Sequence, residues 1–258
     1  MLESHPEFRP PTDPTVKIWR YLTLAKFVSL LERRALFFCR SDKLGDPFEG
    51  SVPIANALIR KEFGKELGLP EAAAQSLNDG LSRFSAQFRK FVAVNCWHMG
   101  EYESAAMWAI YGQIGEAVAV QTTYAKLAAA ISDAEETVYI GCVQYLDYTR
   151  HPIREGNMFT PFVCKRLSFQ HEHELRAVIV RTPEVKEGEK YDPPEYWDRE
   201  TIAEGISVPV RLDTLVERVY VSPTSPDWFA DVVATVAERF EIGRDQVVRS
   251  SLQASPFF

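Results

Sequence analysis

The chain has 258 residues, 46% hydrophobic and 25% charged, with 29 Lys and Arg against 36 Asp and Glu and a formal net charge of −7. That composition suits one globular domain with a sizeable core. It argues against broad nucleic-acid binding, which calls for a basic stripe, and no apolar run approaches the roughly 20 residues that span a bilayer.

Residues 1–15 carry Glu3, Glu7 and Asp13 among prolines and lack the basic-then-apolar pattern of a secretion signal. They read as a disordered lead-in, and cytoplasmic localisation is the expectation. Trp19 to Leu22 then begins a short strand, and Thr23 caps a helix over 24–34 whose apolar residues recur at helical spacing. Ala35 to Cys39 is a second strand, ending in a turn cluster over 41–47. The pattern over 54–91 is helical with a break at Gly68-Leu69-Pro70, so two helices are expected as an insertion near 54–90, a lid or side layer. Phe91 to Trp97 is a strand.

A helix over 103–111 stops at Gly112 and Gly115. A strand over 116–121 follows, and Thr123 or Tyr124 starts a helix to Ile131. Strands are expected over 137–145, 208–212 and 218–221, with 182–204 a surface excursion and an amphipathic helix over 227–239. The fold class is α+β: a single domain over 16–258 built on a central, mostly antiparallel sheet with flanking helices and the helical insertion.

The most informative stretch is Phe169 to Arg176, followed by the apolar run Ala177 to Val180. Read as one strand, it places Glu172, Glu174 and Arg176 on one face and His171 and His173 on the other. Sheets avoid such a charged row unless it meets water or a polar ligand. Lys165 stands just upstream, and a salt-bridged strand end is the plain structural alternative. His171 and His173 two apart invite a metal, with His98 or His151 as a third ligand, but a rim or core histidine pair is the plainer account of them.

Two further clusters carry chemistry. Asp46-Pro47-Phe48-Glu49 is either a rigid loop aiming two carboxylates into a cleft or an acidic turn. Trp108 and Tyr111 share a helix face, more often core than platform, near Glu101, Glu103 and Ser104. An aromatic ring beside carboxylates suits a flat cationic ring such as nicotinamide. Cys39, Cys96, Cys142 and Cys164 are widely spaced with no Cys-x-x-Cys pair, which argues for buried reduced thiols. Glycine-rich dinucleotide, phosphate-loop and Gly-x-Ser-x-Gly motifs are missing, so Rossmann, nucleoside-triphosphatase and α/β-hydrolase readings lose their main support.

Taken in order, Trp19-Arg-Tyr21, Leu36-Phe37-Phe38, Asp46-Pro47-Phe48-Glu49, Met107-Trp108-x-x-Tyr111, Gly115-Glu-Ala-Val-Ala-Val and Lys165…Glu172-x-Glu174-x-Arg176 resemble the bacterial family catalogued as domain of unknown function 2971. The resemblance runs from about Trp19 to Ser222. Gly45 stands where an Asn usually precedes Asp46, and Phe169 where a Trp is common. A more distant similarity is to ADP-ribosyltransferase-like folds, in which an early strand offers an aromatic, Arg or His to the dinucleotide and a late strand offers a glutamate.

That resemblance implies NAD as the substrate. Glu174 would be the catalytic carboxylate, Glu172 its partner at the acceptor, and Arg20 or Tyr21 the early-strand contact. Asp46, Glu49, Ser104, Trp108, Tyr111, Lys165 and Arg176 would complete the substrate-binding set, and no metal is required. Partners would then be a small-molecule nucleotide and a protein or nucleic-acid acceptor, with no membrane. Two alternatives stand beside it: a metal-dependent phosphodiesterase or nuclease with Asp46, Glu49, Glu172 and Glu174 around a divalent ion, and a non-catalytic sensor in a phage-defence or toxin system.

Overall fold

The computed structural model describes every residue except 113–114, 132, 185–192, 255 and 257–258, and only the backbone at 193–195. Strand β1 (Lys17–Thr23) runs directly into α1 (Leu24–Arg33), where the Thr23 hydroxyl accepts the Lys26 N–H as a cap. Strand β2 (Ala35–Arg40) follows after one left-handed residue, Arg34. Next come α2 (Ile54–Glu66) and α3 (Glu71–Phe88). Gly68 turns the chain between them at a φ of +66°, a region that favours glycine.

Strand β3 (Val92–Met99), α4 (Ala105–Tyr111), β4 (Ala117–Thr123) and α5 (Tyr124–Ala130) form the middle of the chain. They lead to β5 (Tyr139–Cys142), β6 (Gln144–Leu146), β7 (Cys164–Arg166) and β8 (Glu174–Val180). The remainder comprises α6 (Pro193–Asp198), β9 (Gly205–Pro209), α7 (Leu212–Leu215), β10 (Arg218–Val221), α8 (Asp227–Glu238) and β11 (Val247–Arg249).

The fold is α+β. Nine strands form one sheet in the order β11-β10-β4-β1-β3-β2-β9, with β8 also on β3 and β5 on β8. All its pairings are antiparallel except β10 with β11. One face packs under α1, α5 and α8 as the main core, including Phe27, Leu31, Leu127 and Phe229. The other face carries two smaller clusters, one around Phe91 and Phe162, the other joining Trp19 and Tyr21 to Met107 and Trp108 of α4. No helix among the described residues is long and apolar enough to cross a membrane.

Strand β3 has three neighbours. Along one edge it pairs with β8 over its whole length, from Val92↔Val180 to His98↔Glu174. Its other edge is shared: β1 takes the end (Ile18↔Met99, Trp19↔His98) and β2 takes the start (Cys39↔Val94, Arg40↔Ala93). Between those pairings the sheet splits. Side chains bridge the gap instead of ladder bonds: Arg20 donates to the carbonyls of Cys96 (3.1 Å) and Phe37 (3.3 Å), and Asn95 donates to the Phe37 carbonyl at 2.9 Å.

Several expectations need correction. The lead-in is packed: Phe8 is buried, Glu3 N–H bonds the Val138 carbonyl, and Cys142 N–H bonds the Arg9 carbonyl. Gly141 allows that approach, since a Cβ there would lie 2.7 Å from the Phe8 Cα. The strand expected over 137–145 breaks at Val143, whose N–H bonds Glu174 O. Residues 208–212 are the end of β9 and the start of α7. Within the excursion 182–204, Pro193–Asp198 is helical, and 185–192 lie outside the described residues. Strands β7 and β11 were not anticipated.

The largest correction concerns 169–176. Leu167–Glu172 forms a 3-10 turn, His173 is left-handed at φ 38°, and β8 begins only at Glu174. Glu172 therefore is not in the strand's charged row. Only Glu174 and Arg176 share that face.

Candidate functional site

A cavity of about 640 Å³ opens where β1 and β2 diverge from β3. Its wall includes Arg20 and Tyr21 of β1, Lys26 and Arg33 of α1, Phe37 of β2 and Cys96 and His98 of β3. Across the split it reaches Tyr111, Glu172 and Glu174. The cavity thus joins the two faces of the sheet, with α1 on one side and the acidic turn on the other.

Behind the acidic wall lies a buried charge network. Arg176 is fully buried and uses all five of its N–H donors. Nε and Nη2 grip Glu174 at 2.7 and 3.0 Å, Nη1 and Nη2 grip Glu49 at 2.8 and 3.1 Å, and Nη1 also reaches the Phe162 carbonyl at 2.9 Å. Lys165 Nζ sits 3.2 Å from Glu49 and 3.3 Å from Glu174, and also pairs with Glu172. Three carboxylates against two cations leave one net negative charge on the side facing the cavity.

The two cavity-facing acids are driven apart. Burial would raise Glu174, but the charges of Arg176 and Lys165 overcome it and hold the carboxyl at about 2. Burial raises Glu172 above the ordinary carboxylate value despite Lys165, and neighbouring Glu174 adds to that rise. One acid is fixed as an anion while the other is closer to titrating, the pattern of divided acid–base roles. Cys96, which hydrogen-bonds Glu174, is held as a thiol by burial.

A stability test follows from the sign of the Glu174 shift. Its folded value lies below the ordinary 4.5, so its contribution is present above about 4.5 and is lost as pH falls towards 2. Glu172, shifted upwards, works in the opposite sense. Urea unfolding should show stability dropping over that acid range, and Glu174→Gln should flatten the drop. An equally steep drop in the variant would rule this assignment out.

Arg20 is a cation on this wall with no acid beside it. It alternates with Ile18 and Leu22 along β1, so it points from the main-core face into the split. Two carbonyls and the Trp97 ring, 5.8 Å away, are its contacts. Among the described residues neither Arg20, Lys26 nor Arg33 forms an ion pair. Burial lowers Arg20 from its usual value, yet a guanidinium stays protonated. A half-buried guanidinium at a cavity wall with no carboxylate partner is a receptor for an anion, phosphate above all.

Of the residues expected at the site, Arg20, Tyr21, Tyr111, Glu172 and Glu174 line this cavity. The other six do not. Glu49, Lys165 and Arg176 stand behind the wall and hold the glutamates. Asp46 pairs with Arg166 at 2.8 Å rather than facing the cavity. Ser104 caps α4, and its N–H donates to the Tyr21 hydroxyl. Trp108 is buried edge-on to Tyr21 with its Nε1–H on Glu103. The exposed rings on the wall are Tyr111 and Phe37, not Trp108.

Cys96 was missed as a site residue, and His98 was considered only as a metal ligand. Their two-residue spacing on β3 puts both on the face of Glu174, a signal that alternation along 92–99 carries. His98 donates Nδ1–H to the Glu172 carbonyl at 2.7 Å, since a carbonyl only accepts. His171 and His173 are exposed, and His173 Nδ1–H donates to Met99 O.

Among the described residues no group of three His, Cys, Asp or Glu side chains is placed to hold a metal ion. The carboxylates that would gather around a divalent ion are instead held by Arg166, Lys165 and Arg176. No family model, curated protein or solved structure gives a significant match to this chain.

Proposed function

We propose that the cavity binds NAD and that the chain cleaves its nicotinamide–ribose bond, as an ADP-ribosyltransferase or an NAD glycohydrolase. One observation carries this: a single cavity presents an unpaired guanidinium at one wall and, at the other, two glutamates whose protonation is driven in opposite directions. Arg20, with Lys26 and Arg33 nearby, would hold the diphosphate. Tyr111 and Phe37 would flank the nicotinamide end.

In the reaction the bond between ribose C1′ and the pyridinium nitrogen breaks, and its electron pair leaves with neutral nicotinamide. Positive charge builds on the ribose. Glu174, ionised throughout, stabilises that charge from a desolvated position where it acts most strongly. Water or an acceptor hydroxyl then attacks C1′, and its proton passes to Glu172. Lys165, shared by both acids, fixes their relative placement.

Incubation with NAD should release nicotinamide, with label appearing on an acceptor or as free ADP-ribose. Arg20→Ala should weaken NAD binding roughly 10–100-fold in calorimetry, since a charged hydrogen bond contributes about 1.5–3 kcal/mol. A chain that neither binds NAD nor releases nicotinamide with protein, nucleic-acid and small-molecule acceptors would end this proposal.

A further inference from the structure

We propose that the α2–α3 hairpin is a self-association surface, and that two copies of this chain pair through it about a two-fold axis. The helices meet through small groups: a Cβ added to Gly64 would lie 3.0 Å from the Ala74 Cβ, beside the contact of Arg60 with Asn78. Their large apolar side chains flank that seam. On α2 and its C-terminal cap, Ile59, Phe63 and Leu67 recur every four residues. On α3, Leu77, Leu81 and Phe84 recur at three and four. Leu77 faces solvent, while Leu81 and Phe84, still partly bare, border a small cavity with Ile153 and Phe162, Phe84 lying edge-on to Trp197 at 5.2 Å. The stripe continues into Phe88, which is buried in the Phe91 cluster. All six are exposed, Phe63 and Leu77 at 57% each. A helix that merely coats a domain turns such residues inward. Here the buried positions of α2 hold Ala55, Asn56 and Gly64.

Size and charge point to the occupant. Six side chains each baring roughly 100 Å² give about 600 Å², the upper end of what a monomer exposes as one patch. With their surroundings this approaches the ~800 Å² per partner of a standard interface. Residues 54–88 carry four basic and four acidic side chains, within a chain of net charge −7. An anionic lipid surface would call for excess Lys and Arg around the stripe, and a strongly charged partner for a fringe of one sign. A neutral border of mixed sign matches itself, as an isologous contact requires, and lets two acidic chains meet without repulsion.

Sedimentation equilibrium of the full chain over about 1–100 µM, the range in which a modest interface associates, should give a dimer. Phe63→Glu and Leu77→Glu should each shift it to monomer with unchanged circular dichroism, because both sites already face solvent. As an independent arm, Leu77→Cys should be captured as a dimer by a short bis-maleimide. A wild-type chain monomeric throughout that range overturns the proposal, as does a dimer that survives both glutamate substitutions. Flotation of a monomeric chain with anionic vesicles would assign the face to lipid and equally overturn it.

Discussion

Arg176→Met should destabilise the fold by about 3–5 kcal/mol in denaturant unfolding, the cost of stranding a buried charge partner. The arginine neutralises Glu49 and Glu174 together, each through two hydrogen bonds, and also satisfies the Phe162 carbonyl. Without it three carboxylates face Lys165 alone, and the network carries two uncompensated negative charges in the interior. Arg176→Lys should recover only part of the loss. An ammonium restores the charge but has three donors and no planar fork. Adding Glu49→Gln to Arg176→Met should cost less than the two substitutions measured separately, because the acid removed is one that had lost its partner. A cost below about 1 kcal/mol for Arg176→Met would mean that water or protonation replaces the guanidinium.

Glu174→Gln should lower nicotinamide release by about 10²–10³-fold, the usual effect of deleting one preorganised group that faces developing charge. Its effect on stability should be smaller than that of Arg176→Met, since the remaining two carboxylates balance the two cations. NAD binding should persist, because Arg20 sits across the split from the acids. Glu172→Gln should spare NAD binding too, slowing attack by the acceptor about 10²–10⁴-fold. Release by Glu174→Gln at the wild-type rate, with the fold intact, would remove the carboxylate from the chemistry.

Local signals carried much of the architecture. Thr23 as a cap, the apolar spacing of α1, and Gly68 with Pro70 between two helices are written in neighbouring residues, and the structure places those elements accordingly. The alternating face of Glu174 and Arg176 was equally legible. The turn before it was not. Phe169 to His173 alternates like a strand, and what bends it is remote: Met99 N–H bonds the His173 carbonyl at 2.8 Å, and His173 Nδ1 returns the contact to Met99 O at 2.7 Å. The split in the sheet is likewise a matter of register between distant strands, which no window of sequence contains. For that reason Arg20 could be singled out as a contact but not as a bridge across open ladder. Trp108 was misplaced because helical spacing groups it with Tyr111 without saying which of the two is covered.

The bend at His173 has a consequence for how the two acids are mounted. Glu174 is anchored to a strand paired on both edges, whereas Glu172 ends a one-sided loop tethered chiefly by His98 and Lys165. Their separation is therefore set by a hinge residue and two side-chain struts, not by the repeat of a sheet. Under the proposed reaction, substitutions in that loop re-aim the acid assigned to the acceptor, while the acid assigned to the ribose keeps its place on β8.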